Sequence, residues 1–372
     1  MTASSRPSAV EVMASLTALA ERGLLRRLDV ALARFLHATV PQAVAPEVLL
    51  AAALLARAEG QGHSCWPLAG WLLADADDSD ADEADAVALR AALAPLLQRL
   101  PTAPTAWRAA LLSCAAVDDA TAPKPDPGPL VLAGPPDRPR LYLRRYWQYE
   151  QFLLTQARAR VALVPALDPP QAAAWLTRLF GPPDTTHEAT PGAAPGDAID
   201  WQRLACAATL RAGLTLITGG PGTGKTYTAA RALALLFATD PSPAAMRVAL
   251  AAPTGKAAAR LAQSIAQAWG ALGASLGAEP EAQAALADWG TRIGPAKTLH
   301  SLLGARPDTR HWRFDARHPL PLDVLVVDEA SMVHLELMTA LLQALPPQAR
   351  LILLGDKDQL ASVEAGAVLG DL

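Results

Sequence analysis

One octapeptide constrains this chain more than any other feature of its 372 residues: Gly219-Gly220-Pro221-Gly222-Thr223-Gly224-Lys225-Thr226, directly after the apolar run Leu214–Thr218. Glycines at that density let several backbone N–H groups turn toward one point, and a helix starting there adds its positive end. Such a concavity takes phosphate. Lys225 should then reach the β- and γ-phosphates of a nucleotide, and the Thr226 hydroxyl should hold Mg2+. Strand, loop and helix in that order also dictate architecture. Three further apolar runs, Val248–Ala252, Val324–Val327 and Leu351–Leu354, alternate with helical stretches. Near-continuous apolar strands are those covered on both faces, so residues 200–372 are expected to form an α/β unit with a doubly wound parallel sheet. Ligands of such sheets sit at the carboxyl ends of the strands.

Two more segments fall at such ends. Val324-Leu325-Val326-Val327 delivers Asp328 and Glu329 to the sheet edge. There Asp328 would bind Mg2+ and Glu329 would polarise an attacking water as general base. An acidic pair after a strand also serves as a helix cap, and the phosphate loop about a hundred residues earlier favours the chemical role. Leu353-Leu354 runs into Gly355-Asp356-Lys357-Asp358-Gln359. Gln359 is placed to sense the γ-phosphate, while Lys357 and Asp358 suit a solvated turn.

Together these segments resemble the motifs of superfamily 1 DNA helicases, and their wording is most similar to the RecD family, a subunit of exodeoxyribonuclease V. The resemblance is continuous from about residue 200 onward and patchy before it. It assigns Pro253, Thr254, Lys256 and Arg260 after the second strand, and Thr298 and His300 further on, to single-stranded DNA contact. Gln202, in Asp200-Trp201-Gln202-Arg203, takes the place of the family's adenine-reading glutamine. Upstream, Gly60–Cys65 and Leu141–Trp147 also look like the family's amino-terminal region. The stretch Gly304–Leu320, with Trp312 and Phe314 among arginines, suits either a strand-separating pin or a plain surface hairpin.

The implied fold is a helical N-terminal domain followed by one RecA-like domain. The implied activity is an ATP-dependent 5′→3′ helicase in DNA break repair and recombination, with ATP and Mg2+ as cofactors and RecB-like and RecC-like subunits as partners. No nuclease constellation is legible, and in the family that chemistry belongs to another subunit. Superfamily 1 motors close a second RecA-like domain over the nucleotide, and nothing before Leu372 corresponds to it. The expectation is therefore a fragment that binds ATP with little turnover. A stand-alone helicase and a nucleotide-gated binding module are the competing readings.

The first 199 residues carry the acidic excess. Net charge is −4, while residues 200–372 hold 15 Lys plus Arg against 15 Asp plus Glu. DNA contact would thus need a local basic groove. Residues 1–115 read as an all-helical, partner-docking domain, and the acidic run Asp75–Asp85 as a solvated loop or docking site. Residues 116–199 read as linkers around a helical segment at 141–180, because Ala116–Arg140 and Gly181–Asp197 are dense in proline. Trp147, Phe152 and Trp175 are its expected core residues. His63 and Cys65 suit a structural turn better than a metal site, since no second pair accompanies them. The longest apolar run, Val48–Ala56, is too short to span a membrane. Three dispersed cysteines and an N-terminus without a secretory layout suit a reduced cytoplasm.

Overall fold

The computed structural model describes residues 5–40, 42–68, 82–122, 124–182, 199–277, 279–306, 309, 311–356, 365–366 and 368–371. The chain divides into two compact units, residues 1–150 with 363–366, and residues 151–362 with 367–372.

The first unit opens with α1 (Ala9–Glu21), α2 (Arg27–Thr39) and α3 (Pro46–Gly60). Helix α1 starts with a capping box: the Ser8 hydroxyl accepts from the Glu11 N–H, and the Glu11 carboxylate accepts from the Ser8 N–H. Helix α3 is apolar on every side and buries all residues from Glu47 to Ala56, so it is the central rod of this unit. Replacing a fully buried leucine such as Leu50 there costs about 2–5 kcal/mol. After β1 (Cys65–Pro67) follow α4 (Asp82–Leu97), α5 (Pro104–Leu112), β2 (Val117–Asp119), β3 (Leu130–Ala133) and β4 (Arg140–Leu143). The four strands form one sheet in the order β1-β4-β3-β2.

This sheet corrects two expectations. Residues 1–115 are not all-helical, since β1 lies among them, and the proline-dense Ala116–Arg140 is not a linker. Its prolines fall between the strands, where no ladder hydrogen bond is lost, while Val117–Asp119 and Leu130–Ala133 are free of proline. Strands β2 and β3 are parallel, joined by residues 120–129. Buried Asp118 fastens that connection, accepting from the Gly128 N–H and pairing with Lys124 and Arg144. Of the acidic run, Asp82–Asp85 begin α4 and Asp75–Ala81 lie outside the described residues.

The chain passes between units within α6 (Arg144–Val161), followed by α7 (Pro169–Phe180) and α8 (Trp201–Thr209). Trp175 is buried in the core, and Trp147 and Phe152 are half-buried. Most of the second proline-rich segment lies outside the described residues. From Leu214 the alternation is β5 (Leu214–Thr218), α9 (Lys225–Thr239), β6 (Val248–Ala252), α10 (Gly255–Ser275), α11 (Pro280–Thr291), β7 (Lys297–Thr298), α12 (Leu299–Leu303), β8 (Val324–Val327), α13 (Leu335–Ala344), β9 (Arg350–Gly355) and α14 (Val368–Asp371). All five strands are parallel, in the order β5-β9-β8-β6-β7. Helix α9 is buried from Thr228 to Ala238, except at Arg231. Between α12 and β8 the described residues form no strand.

Candidate nucleotide and nucleic-acid site

Parallel strands put all five carboxyl ends on one edge of the sheet. Across it stand the phosphate loop after β5, Asp356 after β9, Asp328 and Glu329 after β8, Pro253 to Lys256 after β6, and His300 after β7. Nucleotide candidates occupy one side and nucleic-acid candidates the other.

The phosphate loop keeps its shape by its own bonds. The Gly219 N–H donates to the Gly355 carbonyl at 3.2 Å, tying the loop to β9. The Thr223 hydroxyl donates to the Gly220 carbonyl at 2.9 Å. Gly222 and Gly224 are left-handed, with φ of 77° and 83°. Gly224 caps α9 without a side-chain bond, so the first amides of the helix stay free for an anion. A Cβ at Gly224 would also lie 2.8 Å from Gln202 Nε2. That contact, and the Gln202 amide donating to the Thr223 carbonyl at 3.4 Å, set Gln202 against the loop. The Asp200 carboxylate caps α8 by accepting from the Arg203 N–H at 2.9 Å, which holds Gln202 in the first turn. The Lys225 ammonium donates to the Gly219 and Gly220 carbonyls and is thus stored over the loop it would serve.

Asp328 ends β8 half-buried. Burial pushes its carboxyl above the usual carboxylate range, while the Glu329 N–H and the charges of Lys225 and Arg260 act the other way. Its Oδ1 accepts from the Glu329 N–H at 2.9 Å. The Thr226 hydroxyl and the Asp328 carboxylate offer only oxygen, the donor set a hard divalent cation takes. Glu329 has φ 52° and ψ 41°, and no other described non-glycine residue has positive φ. Such a conformation costs about 1–3 kcal/mol and recurs at reactive positions. Sequence reading found Glu329 but had no signal for its strain. Gly355 closes the gap between β5 and β8: a Cβ there would lie 3.4 Å from the Ser331 backbone nitrogen and 2.3 Å from Leu369 Cδ2. Asp356 is buried, and Gln359, with Lys357 and Asp358, lies outside the described residues.

Sequence reading also missed the support beside the loop. Tyr227, next after Thr226, lies under the Arg231 guanidinium at 3.8 Å from ring centroid to Cζ. Arg231 reaches on to Phe180 at 4.7 Å and donates to the Leu179 carbonyl at 2.9 Å, which anchors the end of α7 to α9. The i, i+4 spacing of Tyr227 and Arg231 was the available signal.

On the other side of the edge, Pro253 is half-buried and Lys256 and Arg260 are exposed. The Thr254 hydroxyl accepts from the Ala257 N–H at 3.2 Å and caps α10, and the Thr298 hydroxyl accepts from the Ser301 N–H at 3.1 Å and caps α12. Register Ala252↔Thr298 sets these two helix starts side by side. Arg260 also acts on Asp328 across β6 and β8, so its charge belongs to the nucleotide side too. In the first unit, the Cys65 thiol is pushed up by burial and sits in β1 opposite Tyr142, and the His63 N–H donates to the Ala58 carbonyl to end α3. Among the described residues no group of three or more His, Cys, Asp or Glu could hold a metal.

Two family models match the chain: the N-terminal domain of the RecBCD enzyme subunit RecD over residues 21–142, and an AAA domain over residues 202–365. The RecBCD enzyme subunit RecD of Mycolicibacterium smegmatis is 46% identical over 239 residues, which is 62% of this chain and 37% of that protein. Its counterpart in Mycobacterium tuberculosis is 44% identical over 254 residues, 65% of this chain and 38% of that protein. The ATP-dependent RecD2 DNA helicase of Deinococcus radiodurans is 38% identical over 156 residues, 42% of this chain and 17% of that protein. The matched portion spans little more than a third of the two RecD subunits. The chain thus carries an amino-terminal domain similar to that of RecD and an AAA domain in this order, and is similar to RecD subunits over about 65% of its length.

Proposed function

We propose that this chain carries the nucleotide-binding motor domain of an ATP-dependent DNA helicase, acting 5′→3′ as a cytoplasmic subunit of a break-processing complex with RecB-like and RecC-like partners. One observation carries the reading: the phosphate loop and the Asp328–Glu329 pair stand at the ends of strands separated only by β9. Triphosphate and attacking water then meet within a single cleft.

Binding begins when Lys225 leaves the Gly219 and Gly220 carbonyls for the β- and γ-phosphates, which the free amides at the start of α9 also receive. Gln202 offers its amide to the adenine edge, since it can both donate and accept. Thr226 and Asp328 would hold Mg2+, which supplies neutralisation of charge on the phosphoryl oxygens. Glu329 takes the proton of the attacking water, and Gln359 senses the γ-phosphate. Lys256, Arg260 and His300 contact the single strand, beside the helix starts that Thr254 and Thr298 cap and behind Pro253. No described helix is long and apolar enough to cross a membrane.

The test is nucleotide titration of Lys225→Ala, monitored beside a thermal melt. Loss of charge-assisted hydrogen bonds worth about 1.5–3 kcal/mol predicts roughly 10–100-fold weaker Mg-ATP binding. The melt should be unchanged, because the ammonium bonds only loop carbonyls. Wild-type affinity in the variant would overturn the assignment.

A further inference from the structure

We propose that Trp312 is a nucleobase-stacking residue, built onto His300 to hold the bases of a single strand whose phosphates face Lys256; the inference rests on the DNA-binding reading above.

The pair is constructed by the chain reversal that follows α12. Thr298 caps that helix, so its first turn, with exposed His300, is held in place. At its end Gly304 turns left-handed, with φ 70°, and the Ala305 N–H donates to the His300 carbonyl at 2.9 Å. The chain then comes back: the Arg313 and Phe314 N–H groups both donate to the Leu303 carbonyl, at 3.1 and 3.2 Å. This pair of hydrogen bonds to one carbonyl sets Trp312 over His300, with ring centroids 5.6 Å apart and planes inclined by 56°. Only glycine allows so close a return, because a Cβ at Gly304 would lie 2.6 Å from Arg313 Cβ.

Burial leaves part of this indole exposed. The other tryptophans of the sheet unit's core, Trp175, Trp269 and Trp289, pack on each other or on Phe237. Trp312 is half-buried and has an exposed imidazole as its aromatic neighbour. A large amphipathic ring displayed in this way is suited to a partner with an apolar face. The cation needed alongside is present, since register Ala252↔Thr298 sets exposed Lys256 of α10 next to the start of α12. Rings for bases beside a cation for phosphates is how single strands are held without sequence preference, each base offering the same π-face.

The test separates bases from phosphates. The full chain is titrated with a thymidine strand of about twelve nucleotides, and with an abasic strand of equal length. Trp312→Ala should weaken the thymidine strand roughly 5–100-fold and leave the abasic strand unchanged. Trp312→Phe, which keeps a stacking face, should retain most of the affinity, and Lys256→Ala should weaken both strands. Equal weakening of both strands by Trp312→Ala, or no weakening of either, overturns the stacking role. Wild-type protein that binds neither strand overturns the DNA-binding reading and this contact with it, while a strand bound equally well by Trp312→Ala sinks the stacking alone.

Discussion

Helices α9 and α10 follow parallel strands of one sheet, β5 and β6, with β9 and β8 between them, yet they begin in opposite ways. At the start of α9 stands Gly224, left-handed at φ 83°, with no side chain to satisfy the first amides. At the start of α10 stands Thr254, extended at φ −119° and ψ 157°, whose hydroxyl accepts from Ala257. The first arrangement leaves orphan donors that a phosphate can satisfy, and the second satisfies one of its own. An uncapped helix start on the nucleotide side and capped starts on the other explain why threonine means different things in the two places. Thr226 stands without such a cap on the proposed cation site, whereas the Thr254 and Thr298 hydroxyls accept from helix amides and keep only their own proton to donate to a strand.

Adding a cap-like obstruction on the open side should have the largest effect. Gly224→Ala forces a Cβ into left-handed backbone, at about 1–2 kcal/mol, and against Gln202. Mg-ATP affinity measured by titration should fall about tenfold or more. Unchanged affinity would mean that the open helix start is not where phosphate binds.

On the capped side, removing the hydroxyl should cost stability and little else. Thr254→Ala is expected to lower the unfolding free energy by about 1 kcal/mol, read from the denaturant midpoint. The salt dependence of oligonucleotide binding should stay as in the wild type, whereas Lys256→Ala should shallow its slope by about 0.7. Weaker oligonucleotide binding by Thr254→Ala at constant salt would return that hydroxyl to the strand.

Between the two sides lies β8, whose end is strained instead of open or capped. Glu329→Gly relieves the left-handed backbone at Glu329 and should raise stability by up to about 1 kcal/mol. Steady-state hydrolysis by the assembled enzyme should be lost. Full turnover in this variant would remove Glu329 as the base, and a lower melting temperature would show that its side chain stabilises the fold.

Local sequence carried the parallel-sheet unit well because each element there announces itself within a few residues. Glycines at 219, 220, 222 and 224 specify a loop, and four-residue apolar runs specify buried strands. The amino-terminal unit misled for the converse reason. Its strands are three or four residues long and separated by prolines, so periodicity has nothing to count, and their pairing depends on Asp118, Lys124 and Arg144 meeting across a turn. Strand β7, two residues long, was invisible for the same cause. Within Gly304–Leu320, His311–Phe314 alternates as a strand would, yet no described residue there is in a strand, and the Arg313 and Phe314 amides are claimed by the Leu303 carbonyl.

By itself the sequence determined where a glycine-rich loop joins strand to helix, which carboxylates follow a strand, and that the sheet is parallel, since each is a property of neighbouring residues. Only the tertiary structure decided who stands beside whom. Strand β9, last of the described strands, inserts between β5 and β8, and so brings Gly355 against the phosphate loop and Asp328 within reach of Lys225's charge. Strand order, the loan of two threonines to helix caps and the return of Trp312 onto His300 are all long-range closures. They are settled by which apolar faces bury together and which backbone groups find partners, and no window of local sequence contains that information.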